Sequence, residues 1–333
     1  MTMMKKSIWL TLIVAGGLLL SLPLLAGGAM AAYPERPIYL LVGFAPGGSM
    51  DLSARSLAKA AEKVLGQPVV VENKTGGTGT VALASLLAQN NDGYTLCATP
   101  SSVLIRVPQM QKVPFKPLKS FRPIIGFAAP PLGIVVKSDA PWKTLKELVH
   151  DSLAHPGKIR YATTGVGSTT HAAAAEIALK EKARMIHVPF KGGTEALTAL
   201  LGGHVEFGSL TSEFIPSVKA GQTRLLATMG DRRSPKFAGV PTLKELGYDF
   251  VNDAVFSVVC PSGLSPNIVK QLEAAFARAA KNEQHLAILD NLDLVPLSYD
   301  GRQFEEFLRV NWKKINAHLI AAGLITEAAT PPE

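Results

Sequence analysis

The regular alternation of short apolar runs with helical stripes, beginning at Pro37, constrains this chain more than any other feature. Ile38-Tyr39-Leu40-Leu41-Val42 is an apolar run of strand length, closed by Ala45-Pro46-Gly47-Gly48. Met50, Ala54, Leu57, Ala61 and Val64 then recur at spacings of four and three, the stripe of an amphipathic helix. Gly66 stands where a left-handed cap would end that helix. Val69-Val70-Val71 supplies the next strand, followed by a glycine-rich loop at 76–79 and a second helix over 81–88. Asn91-Asp92-Gly93 then turns the chain into Tyr94-Thr95-Leu96-Cys97. Strands separated by helices call for parallel pairing and right-handed crossovers, so an α/β fold is expected.

The alternation starts afresh further on, with apolar runs at 134–136, 159–162, 186–188, 205–207 and 225–227 and helical stretches between most of them. A Pro/Gly-rich passage over 234–247 precedes the strand run 255–260. Two amphipathic helices close the chain. One starts at Ser265-Pro266, and the other follows Asp300, which with Gln303 spells a capping box. At 333 residues the chain exceeds one ordinary domain. The expected arrangement is two lobes: residues 32–104 with 253–333 in the first, and 105–252 in the second. The chain would leave the first lobe near 100–104 and return near 252–255, making a hinge of two crossing segments with a ligand cleft between the lobes.

Lys5 and Lys6, an apolar run over 8–25, and Ala29-Met30-Ala31 have the order of a secretory leader, with cleavage expected near Ala31. Without the two leader lysines the charge falls from +8 to +6, a mild positive field that serves solubility and can recruit anions. No basic run with interleaved aromatics marks a nucleic-acid binder, and the seven histidines show no metal-ligand spacing. Cys97 and Cys260 fall in the outgoing and returning strands of the first lobe, as a pair in an oxidising compartment or as buried free thiols.

Three strand-to-helix loops carry the functional signal. They are Phe44-Ala45-Pro46-Gly47-Gly48-Ser49-Met50-Asp51, Gly76-Gly77-Thr78-Gly79-Thr80, and Thr163-Thr164-Gly165-Val166-Gly167-Ser168-Thr169-Thr170-His171. Each lies at the carboxyl end of an expected strand, where open α/β sheets bind ligands. Glycine lets backbone approach an anion, and the helix start behind it offers unpaired N–H groups and partial positive charge. The hydroxyls of Ser49, Thr78, Thr80, Thr164, Ser168 and Thr169 add donors, with Ser101 on the hinge side. Gly77-x-Gly79-x-x-Ala82 matches a dinucleotide fingerprint formally. Its acidic partner is misplaced, because Asp92 precedes the next strand instead of ending it. No cofactor is therefore expected. Ser168 and His171, three residues apart at a helix start, read as an N-cap and a first-turn residue, and no G-x-S-x-G elbow exists. His171 is expected neutral, touching either ligand or loop backbone. Asp51 is expected to fix the first loop, Glu206 to shape the second lobe, and Lys191 to be either a cleft cation or a solvated loop lysine.

These motifs together resemble the extracytoplasmic receptors of tripartite tricarboxylate transporters, the Bug family. The resemblance runs from Tyr33-Pro34-x-x-Pro37-Ile38 through the first loop, Gly66-Gln67-Pro68 and Asp92-Gly93-Tyr94-Thr95-Leu96. It continues through Gly165-x-Gly167-Ser168-x-x-His171, Val188-Pro189-Phe190-Lys191-Gly192, Val240-Pro241-Thr242-Leu243 and Pro261-x-Gly263-Leu264-Ser265-Pro266. It implies a two-lobed periplasmic binding protein, a Venus flytrap of type II-like architecture. It also implies a small organic carboxylate gripped by the first and third loops, and docking of the loaded receptor on a membrane permease with one large and one small subunit; a monomer is expected. A sensor docking on a signalling membrane protein is the alternative. Lys74-Thr75 stands where the family usually has Arg-Pro, Thr80 where Asn is common, Glu206 where Asp is common, and Asn252-Asp253-Ala254 where Trp is frequent. The carboxylate grip therefore transfers, and the far end of the pocket does not.

Overall fold

Residues 33–250 and 252–327 are described by a computed structural model; the expected leader and its cleavage point lie outside the described residues. The chain opens with β1 (Ile38–Val42), α1 (Ser49–Leu65), β2 (Val69–Asn73), α2 (Thr80–Leu87) and β3 (Thr95–Pro100). β2, β1 and β3 are parallel neighbours, with Leu40 opposite Val71 on one side and Leu96 on the other. The apolar stripe of α1 buries Leu57 and Ala61, and Gly66, at φ +70°, ends the helix by donating its N–H to the Glu62 carbonyl.

Next come α3 (Ser101–Ile105), α4 (Val107–Met110) and β4 (Phe121–Ala129). β4 corrects the expected boundary. It belongs to the first sheet, whose order is β11-β4-β10-β3-β1-β2, so residues 105–129 stay with the first lobe and the chain crosses at 130–132. Two strand breakers hide it in the sequence. Pro123 sits beside a register shift in the pairing with β10, where a missing donor is tolerated. Gly126 lies so close to Phe304 that a Cβ would stand 2.9 Å from its ring.

The second lobe runs through β5 (Gly133–Lys137), α5 (Leu145–Ala154), β6 (Arg160–Thr163), α6 (Thr169–Lys180), β7 (Ile186–Pro189), α7 (Gly193–Leu201), β8 (Phe207–Leu210), α8 (Phe214–Lys219) and β9 (Thr223–Thr228). Its sheet has the order β7-β6-β8-β5-β9. β6 is parallel to β7 and β8, whereas β5 arrives straight from the first sheet and runs antiparallel to both neighbours. Ile134, Trp142, Tyr161, Ile177 and Phe207 share its core.

The chain returns through β10 (Phe256–Pro261), antiparallel between β3 and β4, then α9 (Pro266–Ala279), α10 (Glu283–Asn291), β11 (Val295–Asp300) and α11 (Gly301–Ala321). The capping box at Asp300 forms as the sequence predicts. Phe304, Leu308, Trp312, Ile315 and Leu319, spaced along one face of α11, bury against the first sheet's core; burial of such side chains is worth about 1.5–3 kcal/mol each. α9 and α10 pack on α1.

Cys97 and Cys260 lie on adjacent strands, yet both are free and buried. Cys97 is opposite Val259, so Cys260 points to the other face of the sheet. Burial pushes the Cys260 thiol up to about 12 and the Cys97 thiol higher still. Both thiols should therefore resist an aromatic disulfide reagent at pH 8 and react fully in denaturant. A promptly reacting thiol, or an intact mass short by two hydrogens, would contradict this placement.

Candidate functional site

The first loop is built from behind by Asp51, 2 % exposed in the opening turn of α1. Its carboxylate accepts from the Gly47 N–H at 2.9 Å, from Asn73 Nδ2 at 2.8 Å and from Arg55 Nε at 3.0 Å. Burial alone would raise the Asp51 carboxyl, but the Arg55, Gly47 and Asn73 donors outweigh it and hold the group below its ordinary value. Gly47 takes φ +77°, which admits glycine readily. Gly48 is the N-cap of α1 and supplies no side-chain cap of its own.

The third loop is self-bonded. Ser168 caps α6 by accepting from the His171 N–H at 3.1 Å, and its hydroxyl donates to the Gly165 carbonyl at 2.7 Å. The Gly167 N–H donates to His171 Nδ1 at 3.1 Å, which requires that nitrogen to be unprotonated. Burial, with the nearby charge of Arg106, lowers His171 to about 4. Its ring stacks on His187 at 4.1 Å, and His187 is lowered to about 3 by burial and by His171. His171 is thus a neutral brace for the loop.

Gly48, Ser49, Thr164, Ser168 and Thr169 meet at one cavity between the lobes, of about 520 Å³ including its opening to solvent. The rest of the wall is largely apolar, with Phe44, Pro100, Pro130, Leu132 and Phe256 among it.

Other expected residues lie elsewhere. The Ser101 hydroxyl accepts from the Val255 N–H at 2.9 Å and donates to the Asp253 carbonyl, so it stitches the hinge, and its neighbour Ser102 lines the cavity instead. Thr78, Gly79, Gly165 and Lys191 border a separate recess with Val166 and Glu195. There Thr78, at φ +57°, donates across the cleft to the Val166 carbonyl at 2.8 Å, and a Cβ on Gly165 would stand 2.6 Å from its hydroxyl. Thr80 turns inward onto the Gly77 carbonyl at 2.8 Å. The second loop therefore clasps lobe to lobe and does not line the main cavity. Lys191 is exposed, and Gly167 shapes the third loop against Val107. Glu206 is tied to Arg160 within the second lobe.

Three residues that the sequence does not flag prove central. Glu213, just after β8, reaches across the cleft: its Oε1 accepts from the Ser49 N–H at 2.8 Å and the Ser49 hydroxyl at 2.7 Å. Thr211 donates to its other oxygen. Arg106 and Asp253 form an ion pair at 2.9 Å with both side chains wholly buried, and Asp253 Oδ1 also accepts from Thr169 Oγ1 at 3.0 Å. The only local signal for Glu213 is its place at a strand's carboxyl end; the buried pair spans the chain from 106 to 253 and has none.

Removing one member of a buried ion pair typically costs about 3–5 kcal/mol, so Arg106→Met should lower unfolding stability by roughly that much in denaturant titration. A loss below about 1 kcal/mol, the scale of an exposed pair, would contradict it. The pH dependence has a fixed sign. His171, His187 and His285 are all lowered from 6.5, His285 by burial to about 4, so the unfolded chain binds more protons than the folded one below about 6.5. Their contribution is complete above about 6.5 and is lost as the pH falls toward 4. The melting temperature should drop between pH 7.5 and 4.5; a flat or rising profile would contradict the buried neutral rings.

Comparison with known proteins agrees with this architecture. Residues 53–324 match the family model described as tripartite tricarboxylate transporter family receptor. The UPF0065 protein in the gbd 5' region of Cupriavidus necator is 39% identical over 292 residues, covering 88% of this chain and 89% of that one. Among solved structures, the periplasmic binding protein BugD superposes with a TM-score of 0.83 at 26% identity, over 88% of this chain and 99% of that one. MatC from Rhodopseudomonas palustris, with bound malate, superposes with a TM-score of 0.80 at 26% identity, over 85% and 99%. With the family model matching most of its length and the two-lobed α/β fold shared, this chain belongs to the receptor family of the tripartite tricarboxylate transporters, the Bug proteins.

Proposed function

We propose that this chain is a periplasmic receptor that closes its lobes around a small organic carboxylate and delivers it to a membrane permease of one large and one small subunit. No reaction is involved. The observation that carries this reading is the convergence of Gly48 and Ser49 from one lobe with Thr164, Ser168 and Thr169 from the other on a single cavity. Both clusters sit at helix starts, whose partial positive charge favours carboxylate oxygens; at α1 the Ser49 N–H and hydroxyl are engaged by Glu213, whereas the first-turn N–H groups of Thr169 and Thr170 in α6 bond to no other described residue. A ligand touching both clusters binds the closed form better than the open one, and that difference drives closure. The bound malate of MatC supports the ligand class. The family match and the leader-like order of residues 5–31 support export.

Ligand-stripped protein should gain thermal stability with at least one member of a panel of small mono-, di- and tricarboxylates and acidic amino acids. Ligand at ~100 times its Kd adds about 2.7 kcal/mol. Gly48→Val should abolish that gain while leaving the unliganded melt nearly unchanged, because Gly48 has an ordinary φ of −77° and its nearest neighbours lie 3.4 Å or more from a Cβ. No stabilisation by any acid would sink the receptor reading. Full binding by the Val variant would remove the first loop from the site.

A further inference from the structure

We propose that Glu213 determines which acids the cleft accepts, favouring a ligand with one carboxylate and a protonated amine at its far end over one with two carboxylates. This rests on the receptor reading above and sharpens it. The donors at the start of α1 that a ligand carboxylate would use, the Ser49 N–H and hydroxyl, are already held by Glu213 Oε1. The protein's own carboxylate thus fills the first-loop position, leaving the start of α6 for the ligand's carboxylate. The N–H groups of Thr169 and Thr170 in the first turn of α6 make no bond to another described residue, and both residues line the cavity.

Charge balance points the same way. Glu213 is the sole charged residue lining this cavity among the described residues, and no Lys or Arg pairs with it. The nearest buried cation described above, Arg106, is matched by Asp253. A carboxylate offers about four acceptor positions, and Glu213 uses three of them on Ser49 and Thr211. One acceptor position remains on a group that borders the ligand space. An ammonium supplies both the donor and the countercharge that position calls for, whereas a second carboxylate supplies neither and is repelled. The site is then polarised, with the positive end of α6 on one side and Glu213 on the other.

The test uses matched acids that differ at one terminus, 4-aminobutyrate against succinate and 6-aminohexanoate against adipate. Calorimetry would be run on the ligand-stripped protein, on Glu213→Gln and on Glu213→Asp. In the unmodified protein the amino member of at least one pair should bind about tenfold tighter or more than its dicarboxylate. Glu213→Gln, which keeps the size and one acceptor, should shift that ratio toward the dicarboxylate by about tenfold or more. Glu213→Asp should retain the preference for the amine, and it serves as the control should the Gln variant fail to fold. A dicarboxylate that binds the unmodified protein as tightly as its amino partner, or a ratio unmoved by Glu213→Gln, would overturn the inference alone. Absence of binding by every acid in the wider panel would overturn the receptor reading and this inference with it.

Discussion

The carboxylate of Asp253 is buried at the return crossing of the hinge, and an isolated charge there would cost several kcal/mol. Arg106 answers it, and that one requirement organises much of the molecule. Arg106 lies between two short helices that follow β3, Asp253 lies just before β10, and the hydroxyl of Thr169 joins them from the first turn of α6. Three segments distant in sequence are thereby fixed around one charge pair. The wall of the cavity, including Pro100, Ala254 and Phe256, hangs from those same segments.

On that frame the two loops that face the cavity are held by different means. Asp51 anchors the first through the Gly47 N–H and Asn73, and the third is braced by Ser168 and the neutral ring of His171. In both, side chains bind the loop's own backbone from behind, which leaves the helix starts directed at the ligand space. Rigid loops of this kind lose little conformational freedom on binding, so more of the contact energy remains for affinity.

Much of this was legible in the sequence because it is local. The stripe and Gly66 cap of α1, the Ser168 N-cap, the capping box at Asp300 and the role of Asp51 each depend on residues within a few positions of one another. What escaped depends on tertiary context. Pro123 and Gly126 read as breakers, and β4 forms nonetheless because a register shift absorbs one and the close approach of Phe304 requires the other. The second loop has the composition of an anion cradle, yet the left-handed turn at Thr78 sends its hydroxyl to the opposite lobe. Glu213 announces itself by no spacing at all, since its partner Ser49 lies 164 residues away.

The clasp between Thr78 and Val166 stands outside the ligand cavity and still joins the two lobes. One bond between the lobes is therefore made by groups that do not border that cavity. Thr78 and Val166 are no part of that cavity's wall, so variation at the rim can change how the lobes are joined there while the interior wall keeps its chemistry.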